Sequence, residues 1–416
     1  MHLKRTRRTS RGAGRAVALL AAVVATPYAA FAQEDTPLPS GELLRLGQPA
    51  VEAMFSTLSE NAVEFLVEGK PRRVAADELV RWGAPAERGP LPTALLADGS
   101  VIACGPAWAR GGAVQLADGE WLLRNTQLNA VTLDKPAVQA VWFAAASGPD
   151  VHRVRAESAA YRGAEDQVWL DSGDALAGEL VSIDKTSVGF KVAGEDTPIE
   201  VARVAAVAVG GARDANRSEG RLLVGLDDGT LLSVTHIEQL PHRTNLRLGV
   251  GEEFAAKRDL GVRFLQASGE RVQYLNGLAP LDFRHTPYLS VGWPLDRDPA
   301  GPTGEFEAGG RRFHNGLAMH SASRAVYRLD GEWRRFAAEL ALEDRGAEGS
   351  VTFHVLVARD QGFASEYDSP VIRTGDPPTP VAIDLQGARA IALLVDYADY
   401  ADRGDHAVWI DARLEK

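Results

Sequence analysis

The chain has 416 residues, 45% of them apolar, which is enough for two or three ordinary domains and argues against wholesale disorder. It carries 45 Lys+Arg against 56 Asp+Glu, a net charge of −11, and so would be repelled by polyanions such as nucleic acid and anionic membrane surfaces. The single cysteine, Cys104, excludes an internal disulfide and reads as a small buried hydrophobe in VIACG rather than as a nucleophile.

Residues 1–32 read as a signal peptide. Lys4, Arg5, Arg7, Arg8, Arg11 and Arg15 form a basic n-region, Ala16 to Ala25 a short apolar run, and Ala30-Phe31-Ala32 a small-x-small site with cleavage before Gln33. The run is shorter than the about 20 residues a membrane helix needs, and no later stretch is longer, so no membrane span is expected. Export to the periplasm, cell surface or medium is expected. Arg7-Arg8 leaves the Sec and twin-arginine routes both open. Cleavage removes six basic and no acidic residues, leaving 39 basic against 56 acidic residues and a net charge of −17.

From 33 to 275 helical periodicity is almost absent, and alternating apolar stretches are bounded by Asp-Gly turns, a strong hairpin signal. ALLADGSVIACG turns at Asp98-Gly99, GLDDGTLLSV at Asp228-Gly229, and VWLDSGDALAGELVSI around Ser172-Gly173. The stretches repeat: Val63, Phe65, Val67 and Gly69 align without a gap with Val188, Phe190, Val192 and Gly194. Val74, Leu79 and Trp82 continue in register to Ile199, Val204 and Val207. A third copy carries Val114, Leu116, Trp121, Leu122 and Leu128, and a fourth, degraded copy runs from Leu222 to about Leu275. Units this small must curl into barrels or stack on their neighbours to cover an apolar face. The expectation is small β-modules at about 40–90, 91–140, 160–212 and 220–275, with one large irregular β-domain as the alternative. The Pro- and Gly-rich stretch His285 to Phe306 then leads into a domain with longer strands. Phe336, Ala338, Leu340 and Leu342 alternate, as do Val351, Phe353, Val355 and Val357, and Ile391, Leu393 and Val395, which reads as a β-sandwich.

Four ordered blocks in that last part are NGLAMHSASRAVYRLDGEWRRFAAELAL, GSVTFHVLV, DSPVIRTGDPPTPVAIDLQGARAIALLVDYAD and GDHAVWIDARL, preceded by YLNGLAP and YLSVGWPLDRD. Together they resemble the NPCBM/NEW2 family, a carbohydrate-binding module family found with glycoside hydrolases of family 98, over roughly residues 275–416. The resemblance implies a galactose-binding-like jelly-roll sandwich at 276–416, galactose-containing glycans as ligands of some members, and often a structural calcium. Val408 stands where many relatives carry a second acidic residue, and Met319 replaces the more usual Gly or Thr. The fold class expected for the whole chain is all-β, with several small consecutive modules followed by this sandwich.

Sugar recognition needs an aromatic ring to stack on C–H faces and polar groups to take hydroxyls. Trp293, Tyr367, Tyr397, Tyr400 and Trp409 lie in or beside loops of this part, with Trp409 equally readable as core. His320 and His406 occupy motif positions, where packing and loop-locking are the other reading. Asp396, Asp399, Asp402 and Asp405 crowd the last loop. Their three-residue spacing offers oxygen ligands for a hard cation such as calcium, or simply a solvated loop, and it is not the EF-hand pattern.

No H-E-x-x-H, G-x-S-x-G or P-loop occurs, His320-Ser321 are sequence neighbours rather than a nucleophile and its base, and His236, His242 and His314 show no metal spacing. A non-enzymatic protein is therefore expected. Two roles compete: a glycan- or polysaccharide-binding protein, and a structural protein of the cell envelope with protein partners that uses the sandwich as a scaffold. An embedded glycoside hydrolase, whose paired carboxylates leave no sequence trace, ranks below both.

Overall fold

Four times between Ser40 and Ala267 the chain repeats one strand-pairing scheme. In the first unit Ser40–Arg45 pairs antiparallel with Val51–Ser59, that strand with Ala62–Val67, and that with Lys70–Ala75; Leu79–Gly83 then returns to pair with Ser40–Arg45. The third unit does the same with Asp166–Leu170, Ala175–Ile183, Ser187–Val192, Ile199–Glu200 and Val204–Ala208. The fourth uses Leu222–Leu226, Leu231–Gln239, Arg243–Leu248, Glu253–Lys257 and Val262–Ala267. In the second unit, which opens with Thr93–Leu96 and closes with Val138–Trp142, the second strand is split into Val101–Ala103 and Val114–Ala117. One hydrogen bond marks all four closures. The N–H of Leu46, Ala97, Asp171 and Asp227 donates to the carbonyl of Glu78, Ala137, Arg203 and Gly261, each the residue just before a closing strand. The computed structural model describes residues 38–59, 62–89, 92–105, 110–143, 150–213, 222–301, 305–344, 348–399 and 401–416, so the expected signal peptide lies outside the described residues.

The turns explain why these sequences fold this way. Glu68-Gly69, Asp118-Gly119 and Ala193-Gly194 each hold two successive positive φ angles, 51° and 74°, 51° and 80°, and 50° and 85°. That is the type I′ geometry whose twist matches the flanking strands, and glycine takes its second position without strain. Apolar residues at period two then fill each unit's interior: Val63, Phe65, Val188 and Phe190 are all buried. Trp82 packs against Phe55 and Phe65, with ring centroids 5.5 and 5.7 Å away, and its Nε1 donates to the Ala53 carbonyl. In the third repeat of the sequence pattern the inward residue is Leu123, fully buried, and not Leu122, because the strand Glu120–Asn125 points Trp121 and Leu123 to the same face.

The units join through their closing strands. Val138–Trp142 pairs with Val204–Ala208, and Leu79–Gly83 with Val262–Ala267, with Arg81 opposite Gln266. Leu38–Lys416 forms one compact unit rather than beads on a string. A short helix at Asp150–Ala160 covers part of the apolar face of the second and third units through Val154. Among the described residues no helix is long and apolar enough to cross a membrane.

From Val272 onward two antiparallel sheets face each other. One contains Val272–Tyr274, Gly316–His320, Arg335–Leu342, Thr379–Asp384 and the C-terminal strand His406–Glu415. The other contains Asp282–His285, Ser323–Arg328, Ser350–Arg359, Gly362–Asp368 and Ala390–Tyr397. Phe336, Leu340, Phe353, Val355, Leu393 and Trp409 meet between them, each fully buried. The all-β architecture with its C-terminal sandwich is thus observed. Outside the sandwich the hairpin Phe306–Ala308 with Arg311–Phe313 covers Val408 and Ile410 with a second small core.

Candidate functional site

The site forms where the chain crosses from one sheet to the other. Gly316–His320 ends with His320 opposite His406, the first residue of the C-terminal strand. The chain turns at Ser321-Ala322 and runs back as Ser323–Arg328, whose first residue lies opposite His285. Three histidines from three strands therefore reach one rim of the sandwich by register alone. Tyr397, two residues past Val395, the partner of Ser323, ends its strand at the same rim.

Trp293 lies over this group. Its ring stacks on the His320 imidazole with centroids 4.8 Å apart and planes 10° from parallel, and it meets His406 edge-on at 5.6 Å. His320 is edge-on to His406 at 5.4 Å and to His285 at 6.0 Å. Trp293 keeps 39% of its surface exposed and Tyr397 the same, while Tyr288, 50% exposed, stands edge-on to Tyr397 at 6.2 Å. His320 is buried, and burial pushes its imidazole below the ordinary value against the opposing pull of the Ser321 carbonyl and Asp402.

Beneath the rim Asp405 is buried and accepts hydrogen bonds from Ser321 Oγ at 2.5 Å and from the Ser350 N–H at 3.0 Å. Burial raises its carboxyl above the usual carboxylate range, outweighing both hydrogen bonds. The other aspartates are spent separately. Asp399 accepts from Ser350 Oγ and the Ala401 N–H, and Asp396 accepts from the Tyr397 N–H. Asp402 stays partly exposed nearby. Among the described residues no three His, Cys, Asp or Glu groups gather as a metal site requires. In this loop Asp396 and Asp399 are thus tied to backbone N–H groups and to Ser350.

Of the expected sugar-contacting residues, Trp293, His320, Tyr397 and His406 come together. Trp409 is a correction: it is fully buried, edge-on to Phe353 at 5.0 Å, because its position in the C-terminal strand points into the sandwich. Tyr367 lies apart from this group. It sits half-buried on Gly362–Asp368 against the sandwich core, and among the described residues it makes no ring contact with the Trp293 group. Tyr400 lies outside the described residues. Sequence reading missed His285 and Tyr288. The cue for His285 was its place at the end of an edge strand, visible only once the pairing with Ser323–Arg328 is known.

Two other polar features lie elsewhere. On the outward face of Ser350–Arg359, Asp368 Oδ1 bonds His354 Nδ1 at 2.6 Å and Thr352 Oγ1 lies 3.1 Å from His354 Nε2. This has the order of a nucleophile relay, but it stands on a solvated sheet face, with the Asp368 side chain 63% exposed, where its electrostatics are screened by water. A groove of about 410 Å³ runs between the second and third repeat units, lined by residues including Lys135, Asp166, Glu179 and Lys191.

Among curated proteins none matches the chain. Among solved structures, one similar to it contains the CBM51-2 module, in complex with GlcNAc, and INT domains of ZmpB from Clostridium perfringens. The two are 19% identical over 46% of this chain, with a TM-score of 0.30, and this chain spans 42% of that one's length. The CBM51 of a Clostridium perfringens GH95, in complex with methyl-galactose, is 21% identical over 34% of this chain and 99% of its own, at a TM-score of 0.29. The tandem CBM51 modules of Sp3GH98 from Streptococcus pneumoniae are 12% identical over 78% of this chain and 87% of their own, also at 0.29. Residues 272–415 match the model of the NPCBM/NEW2 domain, the family whose motifs the C-terminal third resembles.

Proposed function

We propose that the chain is an exported, non-catalytic glycan-binding protein whose platform is the rim of Trp293, His320, His406 and Tyr397. One observation carries this reading: an indole 39% exposed yet held flat on a buried imidazole. A sugar's C–H face stacks best on a ring already fixed in place, and its hydroxyls need donors and acceptors beside that ring. His406 and Asp402 stand there to supply them. The match to the NPCBM/NEW2 family supports the same assignment.

Stacking one ring on a sugar contributes about 1–2 kcal/mol, so a single site binds in the range of about 1 mM to about 10 μM. Retention on a polymer with many repeats then comes from multivalency. The test is affinity electrophoresis of the full chain through galactose-rich and other polysaccharides, with and without calcium. At least one glycan is expected to retard it, and Trp293→Ala is expected to remove most of that retardation and Tyr397→Ala part of it. Wild-type retardation in both variants overturns the platform. Retardation by no glycan favours the second reading, an envelope scaffold with protein partners.

A further inference from the structure

We infer that His285 is a proton-controlled latch on the loop that carries Trp293: neutral, it holds the loop on the rim, and protonated, it lets the loop go. The geometry assigns each ring nitrogen one role. Nδ1 lies 3.0 Å from the Trp293 backbone N–H, a group that can only donate, so Nδ1 must hold a lone pair. Nε2 lies 3.0 Å from the Ser321 carbonyl oxygen, which can only accept, so Nε2 carries the proton. The one position left for a second proton is Nδ1, and a proton there faces an N–H. Donor then meets donor, and the hydrogen bond to Trp293 is lost.

That bond matters because the loop has so few others. Its backbone is tied at one end by the Thr286 N–H to the Ala322 carbonyl and at the other by the pairing of Asp296 with Ala318. Between these ends the Trp293–His285 bond is the one hydrogen bond among the described residues. Much of the loop is exposed, Leu289 keeping 79% of its surface and Val291 59%, while Leu295 at its far end packs half-buried on the sandwich core. Without the latch, Trp293 is held by its ring contacts with His320 and His406.

The charges around His285 come from every neighbouring element. His320 faces it from Gly316–His320, and His406 lies one ring further on. Arg324 stands opposite Arg284, the residue before His285. Asp405 bonds Ser321 Oγ from below, and Asp402 belongs to the same segment. Arg324 is itself paired with Asp282, on the same strand as His285, at 2.6 Å. Burial lowers the His320 pKa and so favours the uncharged ring under Trp293.

The effect on glycan retention rests on the reading of Trp293 as the platform, and two readouts keep the claims apart. The first is hydrogen exchange of the ligand-free full chain, as the protection factor of the Trp293 amide at pH about 8 and about 5, either side of the ordinary histidine range. Wild-type protection is expected to fall about tenfold at the lower pH, the ratio set by losing one hydrogen bond of ordinary strength. In His285→Asn, whose amide oxygen can take the Trp293 N–H and does not titrate, it is expected to change less than about twofold. Unchanged wild-type protection overturns the latch, as does an equal fall in both proteins. If the variant does not fold, the wild-type series alone decides. The second readout is affinity electrophoresis at both pH values: a latch that opens while retardation stays constant leaves the latch standing and removes Trp293 from the glycan site.

Discussion

Arg81, on the closing strand of the first repeat unit, donates from Nη1 to Asp411 Oδ2 at 2.7 Å, across 330 residues of sequence. Both side chains are 2% exposed. The same guanidinium reaches Glu339 at 2.8 Å and Glu42 at 2.9 Å and lies over the Phe313 ring at 5.1 Å. Gln266 takes the other Asp411 oxygen at 2.6 Å, and Tyr274 Oη donates to the Val80 carbonyl. Two closing strands of the repeats thus meet two strands of the sandwich through one buried cation and three acids. The three carboxylates outweigh the penalty of burial and drive the Arg81 pKa upward, so it stays charged throughout the working range.

Breaking one side of this seam strands the other. Arg81→Met is expected to destabilise the chain by about 3–5 kcal/mol, because Asp411 stays buried without its cation, while Glu339 keeps Arg311 at 3.6 Å. Arg81→Lys recovers only part of this, since an ammonium cannot fork to several carboxylates. Urea denaturation of the three proteins reads the difference, and a loss under about 1 kcal/mol in Arg81→Met makes the seam an incidental contact.

Two glycines with similar backbones separate close approach from backbone strain. Gly69 has a φ of 74° and nothing within 4 Å of an added Cβ, whereas Gly83 has a φ of 70° and an added Cβ 2.0 Å from the Arg263 carbonyl oxygen. Gly69→Ala is expected to lose about 1–2 kcal/mol, the cost of a left-handed alanine. Gly83→Ala adds a clash inside the pairing of the first and fourth units, and is expected to lower the melting temperature several times further. Equal losses in the two variants sink the proposed role of Gly83 as a close-approach point.

Local rules carried much of the fold into the sequence. The gapless match of Val63, Phe65 and Gly69 to Val188, Phe190 and Gly194 is legible because hairpin turns and period-two burial are set by neighbours in the chain. The seam is not legible for the opposite reason. Arg81 sits in LVRWG, where alternation reads it as a solvated residue, and its burial is decided by Asp411 far along the chain. The rim shows the same division. Trp293, His320, Tyr397 and His406 could be named from motif and residue type, whereas His285 needed strand register to place it. Whether Trp409 faced the core or a loop was left open by the sequence, because aromatic composition says nothing about which way a side chain points.

The rim also sets an acid response. Burial holds the His320 pKa below its ordinary value, so the unfolded chain binds that proton more readily than the folded one. Stability from this source is present at neutral pH and is lost as pH falls through the ordinary imidazole range, near about 6.5. Asp405 works the other way: its pKa is raised in the fold, so its contribution grows as pH falls through the carboxylate range. Urea midpoints measured between pH about 7.5 and about 5 are expected to decline more steeply for wild type than for His320→Gln. Parallel curves for the two rule out His320 as the source.

The sandwich begins earlier than its longest strands suggest. Val272–Tyr274 pairs with Arg413 to Glu415 at the end of the chain, and Leu275 is fully buried in the sandwich core. A fragment from residue 270 to 416 keeps both features and is expected to show a β-type circular dichroism spectrum and a cooperative melt. A fragment begun at residue 278 lacks that strand and the burial of Leu275, worth about 1.5–3 kcal/mol, and is expected to melt lower or without cooperativity. Asp411→Asn then reports whether the seam belongs to the sandwich or to its junction with the repeats. Asparagine tolerates the positive φ of 49° at this position, so strain does not confuse the comparison. In the full chain it replaces the carboxylate that faces Arg81 and is expected to destabilise by about 2–3 kcal/mol. In the 270–416 fragment Arg81 is gone and Asp411 is uncovered to water, so the same substitution is expected to change stability by less than about 0.5 kcal/mol. A similar loss in both backgrounds places the work of Asp411 inside the sandwich and removes the junction as its purpose.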